Sequence, residues 1–517
     1  MPLDRILECM LLDDPWVATA RRHLRSPVPT SGHRSRSSRA VSVSAMGDLH
    51  DMTMLEQAAA VRARTVSPVE LMDHYLERIE RLNDDVGAFV YLAPDQARAS
   101  ARAAERAVVD GGSLGVLHGV PTGIKDLYLT ADMPTGFGTG AFSPMDLGQD
   151  EAFVTKLRAA GLLNVGKTAT PEFGAPCYTE PEGHPPARTP WDLSRSAGGS
   201  SGGAGAAVAA GLLPAAPGSD GGGSVRIPAS VNGLVGLKTS RGRVSVAPGN
   251  PDISGLAVHG PLARTVRDAA ALLDAMAGPT PMDWIWQAPP RTGTFLAACD
   301  EDPRGLRIGR YCAPPLAEAE VHAECLAAYD AASALLEGLG HTVEDYDNTF
   351  EGSQLVHQFE DLWAVEFASL PIPDAVAPNL RPLTRWLRER GAGLSATDVF
   401  GALGALRAKA REELERTSVY DVVMTPTLAQ PPAKVGALRD DADPAQDFEN
   451  QKRFTPFTAF YNLTGQPAIS VPLHWTAEDL PIGVQLVGRP GDEATLLAVA
   501  AQLEAAAPWV HRKPTCW

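Results

Sequence analysis

The apolar positions beyond residue 50 change repeatedly between helical and strand-like spacing. Ser67 predicts the start of a helix, because its side chain can cap the first turn, Pro68 suits that turn and Glu70 completes a capping box. The apolar residues that follow recur at helical spacing: Leu71, Tyr75, Ile79 and Leu82. This pattern predicts a helix that packs on a core through one face.

Short apolar runs bounded by turn residues predict strands. The expected strands are Gly119–Lys125, Leu162–Gly166, Gly233–Lys238, Gly305–Tyr311, His341–Glu344, Val422–Thr425 and Pro481–Gly488. Further helices are expected at Ala317–Leu339, within residues 350–420 and at Ala494–Ala506. The alternation of helices and strands predicts an α/β fold around a mixed, largely parallel sheet, with one βαβ unit between residues 305 and 344.

Composition and charge narrow the classes of function. The 517 residues carry a formal net charge of −17, and an acidic surface repels nucleic acid and anionic membranes. No apolar run reaches the roughly 18–20 residues that a membrane span needs. We expect a cytoplasmic protein that binds neither nucleic acid nor membranes.

The cysteines are scattered along the chain. Cys9, Cys177, Cys299, Cys312, Cys325 and Cys516 form no C-x-x-C pair, which argues against a zinc ribbon or a thioredoxin-like motif. In a long chain such a set is typical of free, mostly buried thiols of a cytosolic protein.

Residues 1–45 differ from the rest of the chain. The stretch Arg21–Ala40 holds six arginines and no acid, and it lacks the apolar core of a secretory signal. It fits an organellar transit peptide, a disordered tail, or an over-extended start that precedes a true first residue at Met46. We favour disorder or a wrong start, with a globular domain over residues 46–517.

Two motifs compete as sites of chemistry. Gly161–Thr168 matches the phosphate-binding loop G-x-x-x-x-G-K-[ST], but a helical pattern precedes it and Pro171 follows where the loop's helix should run. We interpret it as a helix end followed by a buried strand.

Gly198–Gly202 matches the nucleophile elbow G-x-S-x-G, but the residues before it are too polar for the strand that an elbow needs. None of His259, His322 and His341 has a setting that suggests a partner.

The two Gly/Ser clusters taken together indicate a different site. Residues 198–203 and 219–228 enclose the apolar segment Ala204–Leu213, which a flexible linker would not do. Three consecutive glycines, Gly221–Gly223, precede Ser224. Such a tight turn can direct several N–H groups at one point, as an oxyanion hole requires.

With these clusters the sequence resembles the amidase signature family over about residues 52–512. The motifs that carry the resemblance occur in order at Leu117–Asp126, Gly198–Gly203, Ser219–Pro228, Gly236–Lys238, Gly260–Asp268, Asn462–Ala468 and Leu480–Arg489. Two departures are Gly221, where threonine or isoleucine is commoner, and Thr239, where proline is frequent. The Asp-Gly-Gly-Gly-Ser form is similar to a branch that contains 6-aminohexanoate cyclic-dimer hydrolases.

The resemblance implies a single α/β/α domain and a Ser–Ser–Lys triad. By motif position, Lys125 matches the lysine, Ser200 the middle serine, held by a cis peptide bond, and Ser224 the nucleophile. Gly221, Gly222, Gly223 and the Ser224 N–H match the oxyanion hole. No metal or cofactor is implied.

Neighbouring residues have expected roles too. A lysine base must be neutral, and the apolar neighbours Val120, Ile124 and Leu127 are consistent with the burial that lowers a lysine pKa. A salt bridge from Lys125 to Asp126 is the alternative. Ser201 is expected either to contact the relay and substrate or to satisfy the turn. Asp220 and Arg226 are expected to pair and hold the loop.

The resulting hypothesis is an amidase that hydrolyses a linear or cyclic small-molecule amide. A glutaminase subunit of a tRNA-dependent amidotransferase and a non-enzymatic scaffold are the alternatives. Partner subunits and glutamine dependence would identify the first alternative, and the intact Lys125, Ser200 and Ser224 argue against the second. The sequence leaves open whether two copies of the chain form a homodimer. Residues 350–420 are expected to form the wall of the substrate site.

Removal of residues 1–45 is expected to leave folding and turnover unchanged, because their arginine-rich stretch offers no apolar face to bury. Melting temperature and amidase turnover are compared for chains that start at Met1 and at Met46. A substantial loss of either quantity in the shorter chain contradicts this prediction.

Overall fold

The computed structural model describes residues 48–249, 253–346 and 352–517. The expected extension over residues 1–45 and the alternative start at Met46 lie outside the described residues. The extent of the domain over residues 46–517 stays a prediction.

The helices are numbered in chain order. They are α1 (Met54–Arg62), α2 (Pro68–Val86), α3 (Pro94–Val109), α4 (Ala152–Ala159), α5 (Gly202–Ala209), α6 (Arg226–Asn232), α7 (Val266–Met276), α8 (Phe295–Ala298), α9 (Ala323–Gly338), α10 (Gly352–Ala368), α11 (Pro382–Ala392), α12 (Ala396–Thr417), α13 (Pro444–Phe454), α14 (Phe460–Thr464) and α15 (Glu493–Ala506). None of the described helices is long and apolar enough to cross a membrane.

The strands are numbered in the same way. They are β1 (Phe89–Leu92), β2 (Pro121–Lys125), β3 (Leu163–Thr168), β4 (Ala215–Asp220), β5 (Val235–Lys238), β6 (Val258–Ala263), β7 (Arg307–Arg310), β8 (Thr342–Asp345), β9 (Val422–Pro426), β10 (Ala468–Trp475) and β11 (Pro481–Gly488).

Helix α2 forms as its sequence predicts. Ser67 Oγ accepts from Val69 N, and the Ser67 N–H donates to the carboxylate of Glu70, which closes the capping box. Leu71, Tyr75 and Ile79 are fully buried. The start of α9 differs from the prediction. The helix begins at Ala323 instead of Ala317, because the His322 side chain caps it by accepting from Glu324 N.

A large mixed sheet forms the centre of the molecule, in the order β4-β6-β5-β10-β11-β9-β7-β8. Alternate residues of its strands face two cores. Val484 and Leu486 join the core under α7, α9 and α15, while Val487 joins the opposite core. Helices therefore cover the sheet on both sides, which confirms the α/β fold with a mixed sheet.

The expectation that this sheet is largely parallel is wrong. Within the described residues its parallel pairs are β7–β8 and β7–β9, which form the predicted βαβ unit with α9. The other neighbouring pairs are antiparallel. The sequence prediction missed β4, β6 and β10. Strand β6 inserts between β4 and β5, and a short turn joins β10 to β11, which forces antiparallel pairing.

A smaller sheet has the order β1-β3-β2, with β2 and β3 parallel. The segment that matches the phosphate-binding loop, Gly161–Thr168, lies in this sheet. As predicted, it is a helix end followed by a buried strand, because α4 ends just before it and β3 covers Leu163–Thr168. Lys167 is buried and donates to Tyr128 O (2.5 Å) and Thr135 Oγ1 (2.8 Å). Its amine is therefore used inside the fold and does not face a ligand.

The described cysteines are free, and Cys177 and Cys325 are buried while the other three are partly buried. Cys9 lies outside the described residues. For this part of the chain the prediction of free thiols is confirmed, but the prediction that most of them are buried is wrong, because two of the five are buried.

A buried ion pair follows the end of β4. Both side chains are fully buried, and Arg226 donates through Nε and Nη2 to the two carboxylate oxygens of Asp220 (2.9 and 2.8 Å). The remaining guanidinium hydrogens go to Thr458 O, Gln485 Oε1 and Asn462 Oδ1 (2.7–2.8 Å). The prediction that Asp220 and Arg226 pair is confirmed. Burial by itself would raise the pKa of Asp220, but Arg226 holds that pKa well below its usual range.

Replacing Asp220 by asparagine is expected to lower the free energy of unfolding by about 3–5 kcal/mol at pH 7, because a buried guanidinium loses its carboxylate. The depressed pKa of Asp220 means that its contribution is complete above the unfolded-state pKa of about 3.9 and is lost as the pH falls through the lower folded-state value. Urea unfolding at pH 7 measures the effect.

The matched control is Asp73→Asn, which breaks a surface pair with Arg98. Exposed pairs contribute about 1 kcal/mol or less. Equal losses for the Asp73 and Asp220 variants would contradict the structural role of the buried pair.

Candidate functional site

Strand β2 delivers Lys125 to a fully enclosed position. Lys125 is 1% exposed, and Val120 and Ile124 are buried beside it. Thr122 Oγ1 donates to Ala215 O (3.1 Å), which fixes β2 next to β4. The expected burial of Lys125 in an apolar setting is confirmed. Asp126 points elsewhere, since its carboxylate accepts from Gly136 N (3.0 Å), so the alternative salt bridge is not formed.

Three hydroxyl groups surround the Lys125 amine. Its Nζ lies 2.8 Å from Ser200 Oγ, 3.0 Å from Ser201 Oγ and 3.0 Å from Ser219 Oγ. Burial lowers the pKa of Lys125 to about 7, although the charge of Asp220 acts in the opposite direction. The amine is therefore neutral in a large fraction of molecules at neutral pH.

The directions in which the three serine hydroxyls donate determine which of them can give a proton to the neutral Lys125 amine. Ser201 Oγ donates to Ser219 O (3.1 Å), so its hydrogen is not available to Lys125. Ser219 Oγ is hydrogen-bonded to Tyr128 as well. A neutral amine donates two hydrogens and accepts one. If Ser201 and Ser219 take the two donated hydrogens, the Lys125 lone pair faces the Ser200 hydroxyl.

Ser201 is fully buried and does not line the cavity described below. Its side chain is turned inward to Lys125 and Ser219, and its expected contact with substrate stays a prediction. The other expectation, contact with the relay, agrees with this geometry. Sequence reasoning missed Ser219, since a serine in a strand with proline and glycine neighbours carries no distinctive signal.

Ser200 and Ser224 lie on adjacent loops. Ser200 precedes α5, and the Gly199–Ser200 peptide bond is cis. Ser201 N donates to Ser224 O (3.3 Å), which joins the two loops. No hydrogen bond links Ser200 Oγ to Ser224 Oγ among the described residues. Hydrogen bonds of this kind often form only when substrate is bound.

The glycine turn before Ser224 is held from both sides. Gly223 has φ +132°, where a Cβ atom would lie 2.5 Å from Thr458 Oγ1, so this position requires glycine. Thr458 Oγ1 donates to Gly222 O (2.7 Å) and fixes the orientation of that peptide. Thr458 is a second residue that sequence reasoning missed.

The N–H groups of the turn are not equivalent. Gly223 N donates to Asp220 Oδ1 (2.8 Å), so the expected contribution of Gly223 to an oxyanion hole is wrong for this structure. The N–H groups of Gly221, Gly222 and Ser224 have no partner within the described residues. These three stay the candidate oxyanion donors.

Ser224 lines a cavity of about 70 Å³. The cavity is mainly apolar and is lined by Ala175, Pro176, Cys177, Gly222, Ser224, Ile227, Leu316, Val356, Phe359, Trp363, Phe448, Gln451, Lys452, Thr455 and Ala459. Helix α10 contributes part of one wall, as expected for residues 350–420. Among the aromatic residues of that segment, Trp363 lines the cavity, Phe367 is buried, Trp386 packs on Phe448 and Phe400 is exposed on the surface.

The histidines do not form a Ser–His site. Burial lowers the pKa of His259 to about 3, and its ring packs against Tyr128 and Phe153. His322 caps α9, and His341 bonds Leu306 N and Gln502. No strand precedes Ser200, so the elbow interpretation is not supported. The described residues contain no cluster of three or more His, Cys, Asp or Glu side chains that could hold a metal ion.

Known proteins with the same chemistry match this chain closely. The family model described as Amidase matches residues 70–497. A putative amidase of Synechocystis sp. is 37% identical over 463 residues, which cover 89% of each chain. The 6-aminohexanoate-cyclic-dimer hydrolase of Paenarthrobacter ureafaciens is 36% identical, over 89% of this chain and 95% of its own.

A solved structure of 6-aminohexanoate cyclic dimer hydrolase complexed with substrate has the same fold, with a TM-score of 0.82 and 32% identity. The match covers 90% of this chain and 99% of the hydrolase. The alternative of a glutaminase subunit is not favoured by these relatives. The chain belongs to the amidase signature family and is an amidohydrolase.

Proposed function

We propose that Ser224 is the nucleophile, that Ser200 carries its proton and that Lys125 is the base. The observation that supports these roles is the enclosure of a buried amine by hydroxyl groups, with Ser224 opening onto the cavity on the adjacent loop. A serine hydroxyl becomes an effective nucleophile only when a base removes its proton.

In the first step, neutral Lys125 takes the proton of Ser200, and Ser200 takes the proton of Ser224. Ser224 Oγ forms a bond to the amide carbonyl carbon, and the carbonyl oxygen gains the negative charge. The N–H groups of Gly221, Gly222 and Ser224 would bind this oxyanion. One such donor typically contributes about 2.7–4 kcal/mol to the transition state.

In the second step, Lys125 returns its proton through Ser200 to the amide nitrogen, the C–N bond breaks and the amine leaves. The acyl group stays bonded to Ser224 as an ester. Water then attacks this ester, its proton passes along the same relay, and the carboxylic acid and Ser224 are released.

The substrate that we propose is a small-molecule carboxylic amide, linear or cyclic. The cyclic dimer of 6-aminohexanoate is the first to test, because relatives of this chain are named for its hydrolysis. We also propose a cytoplasmic location, which the free thiols of Cys177 and Cys325 support. The homodimer considered from the sequence stays a prediction.

Ser224→Ala is expected to remove nearly all amidase activity and to leave the melting temperature close to that of the wild type, because a hydroxyl at the cavity wall is lost without disturbing the core. Amide turnover and thermal unfolding are measured together. A fluorophosphonate probe on the wild type should modify Ser224, as peptide mapping can establish. Modification of Ser200 with Ser224 untouched contradicts the assignment.

The pH dependence tests Lys125. Because the neutral amine is the active form, kcat/KM for amides should rise with pH through about 7 and level off above it. Lys125→Ala and Lys125→Arg should both lose this rise and most amide turnover, since a guanidinium does not deprotonate under these conditions. Ester substrates need less protonation of the leaving group and should lose less. Amide turnover by Lys125→Arg near the wild-type level would assign Lys125 a charge role instead.

A further inference from the structure

The Trp363 indole lies directly against the candidate oxyanion turn. A Cβ atom on Gly221 would lie 3.3 and 3.4 Å from Trp363 Cη2 and Cζ3, which is closer than an ordinary carbon contact. Gly221 does not have a positive φ, so its backbone does not itself require glycine. The missing side chain at this position instead leaves room for the edge of the indole ring.

A second ring extends this wall. Phe359 stacks on Trp363, with ring centroids 5.8 Å apart and an interplanar angle of 19°. Its Cζ lies 4.0 Å from the position that a Cβ of Gly222 would occupy. The two rings therefore flank the two glycines whose N–H groups are candidate donors to the substrate carbonyl.

None of the described residues that line the cavity carries an uncompensated charge. Lys452 is the charged side chain among its lining residues, and it is bound to Glu360 and to Glu449. Glu360 also pairs with Arg390 (3.0 Å). A charged group entering this cavity would lose its hydration and gain no free partner, which is costly in an apolar site.

From this arrangement we propose that Trp363, admitted by Gly221, is the residue that determines acyl specificity, and that the cavity takes uncharged, apolar acyl groups. The inference rests on the proposed function, in which the acyl group stays bonded to Ser224 through both half-reactions. The group attached to the carbonyl carbon is therefore the part of the substrate that stays beside the rings.

The experiment uses 4-nitroanilides that share one leaving group and differ in the acyl group: acetyl, hexanoyl, benzoyl, succinyl and 6-aminohexanoyl. The wild type is expected to prefer hexanoyl and benzoyl over the two charged acyl groups by about 100-fold in kcat/KM, since a hydrophobic pocket discriminates by about 10–200-fold for small apolar differences and more for unpaired charge.

Trp363→Ala should lower kcat/KM for the benzoyl substrate by about tenfold and change the acetyl substrate little. Trp363→Phe, which keeps a flat ring, should retain most of the preference. Gly221→Ala should also lower benzoyl turnover, because the methyl group displaces the indole. In the Trp363→Ala background the same Gly221 change should alter the ratio of benzoyl to acetyl turnover almost no further, since residues in contact do not act additively.

Trp386→Ala is the matched control, because Trp386 packs on Phe448 and does not line the cavity. It should leave the acyl preference unchanged. Any of three results overturns the inference. They are turnover of the charged acyl groups that equals or exceeds that of the apolar ones, additive effects of the Gly221 and Trp363 changes, and an acyl preference that Trp386→Ala alters.

Labelling of Ser224 by a fluorophosphonate in the same samples separates the two proposals. If Ser224 is labelled but the acyl preference differs from the expected one, only the proposed acyl specificity is overturned. An unlabelled Ser224 together with no turnover of any anilide refutes the proposed function, and the acyl specificity falls with it.

Discussion

The buried pair between Asp220 and Arg226 is the constraint on which the site depends. Asp220 accepts hydrogen bonds from the backbone of Gly223 and Val225 as well as from the guanidinium. One carboxylate therefore shapes the turn that carries Ser224. Arg226 extends the same network to Thr458, Asn462 and Gln485 through its remaining donors, so the turn is fixed to α14 and to β11. The cost of burying both charges is offset only while every partner is present.

This arrangement also affects the electrostatics of Lys125. The carboxylate of Asp220 is fully engaged with Arg226, and the groups within hydrogen-bond distance of the Lys125 amine are neutral hydroxyls. A carboxylate in direct contact would keep the amine charged and useless as a base. Burial among serines has the opposite effect and lowers its pKa to about 7. In the proposed mechanism, the separation of a permanent ion pair from a neutral amine within one buried network is what lets Lys125 act as a base near neutral pH.

In the proposals made above, reactivity and selectivity come from different parts of the chain. The serines, the lysine and the glycine turn belong to the loops and strands between residues 120 and 226, which the sheet and its two cores hold rigidly. The rings that face Ser224 belong to α10, and the paired charges that surround Lys452 belong to α10, α11 and α13. Gly221 connects the two parts, because its lack of a side chain lets the Trp363 ring approach the glycine turn that carries the candidate oxyanion donors.

The sequence by itself determined the elements with strong local signals. The capping box at Ser67, the buried strand at Leu163–Thr168 and the Gly/Ser clusters of the site could all be recognised, because caps, apolar runs and glycine turns depend on neighbouring residues. It also identified Lys125, Ser200 and Ser224 as candidates by their motifs. Strands such as Ala215–Asp220, which contains proline and glycine, have no such signal and form only because the sheet pairs with them.

Tertiary structure alone decided the direction of strand pairing, the inward orientation of Ser201 and the use of the Gly223 N–H by Asp220. It also brought Ser219, Thr458 and Trp363 to the site from distant positions. These features depend on which side chains compete for one donor or one volume, and that competition exists only after folding has brought the residues together.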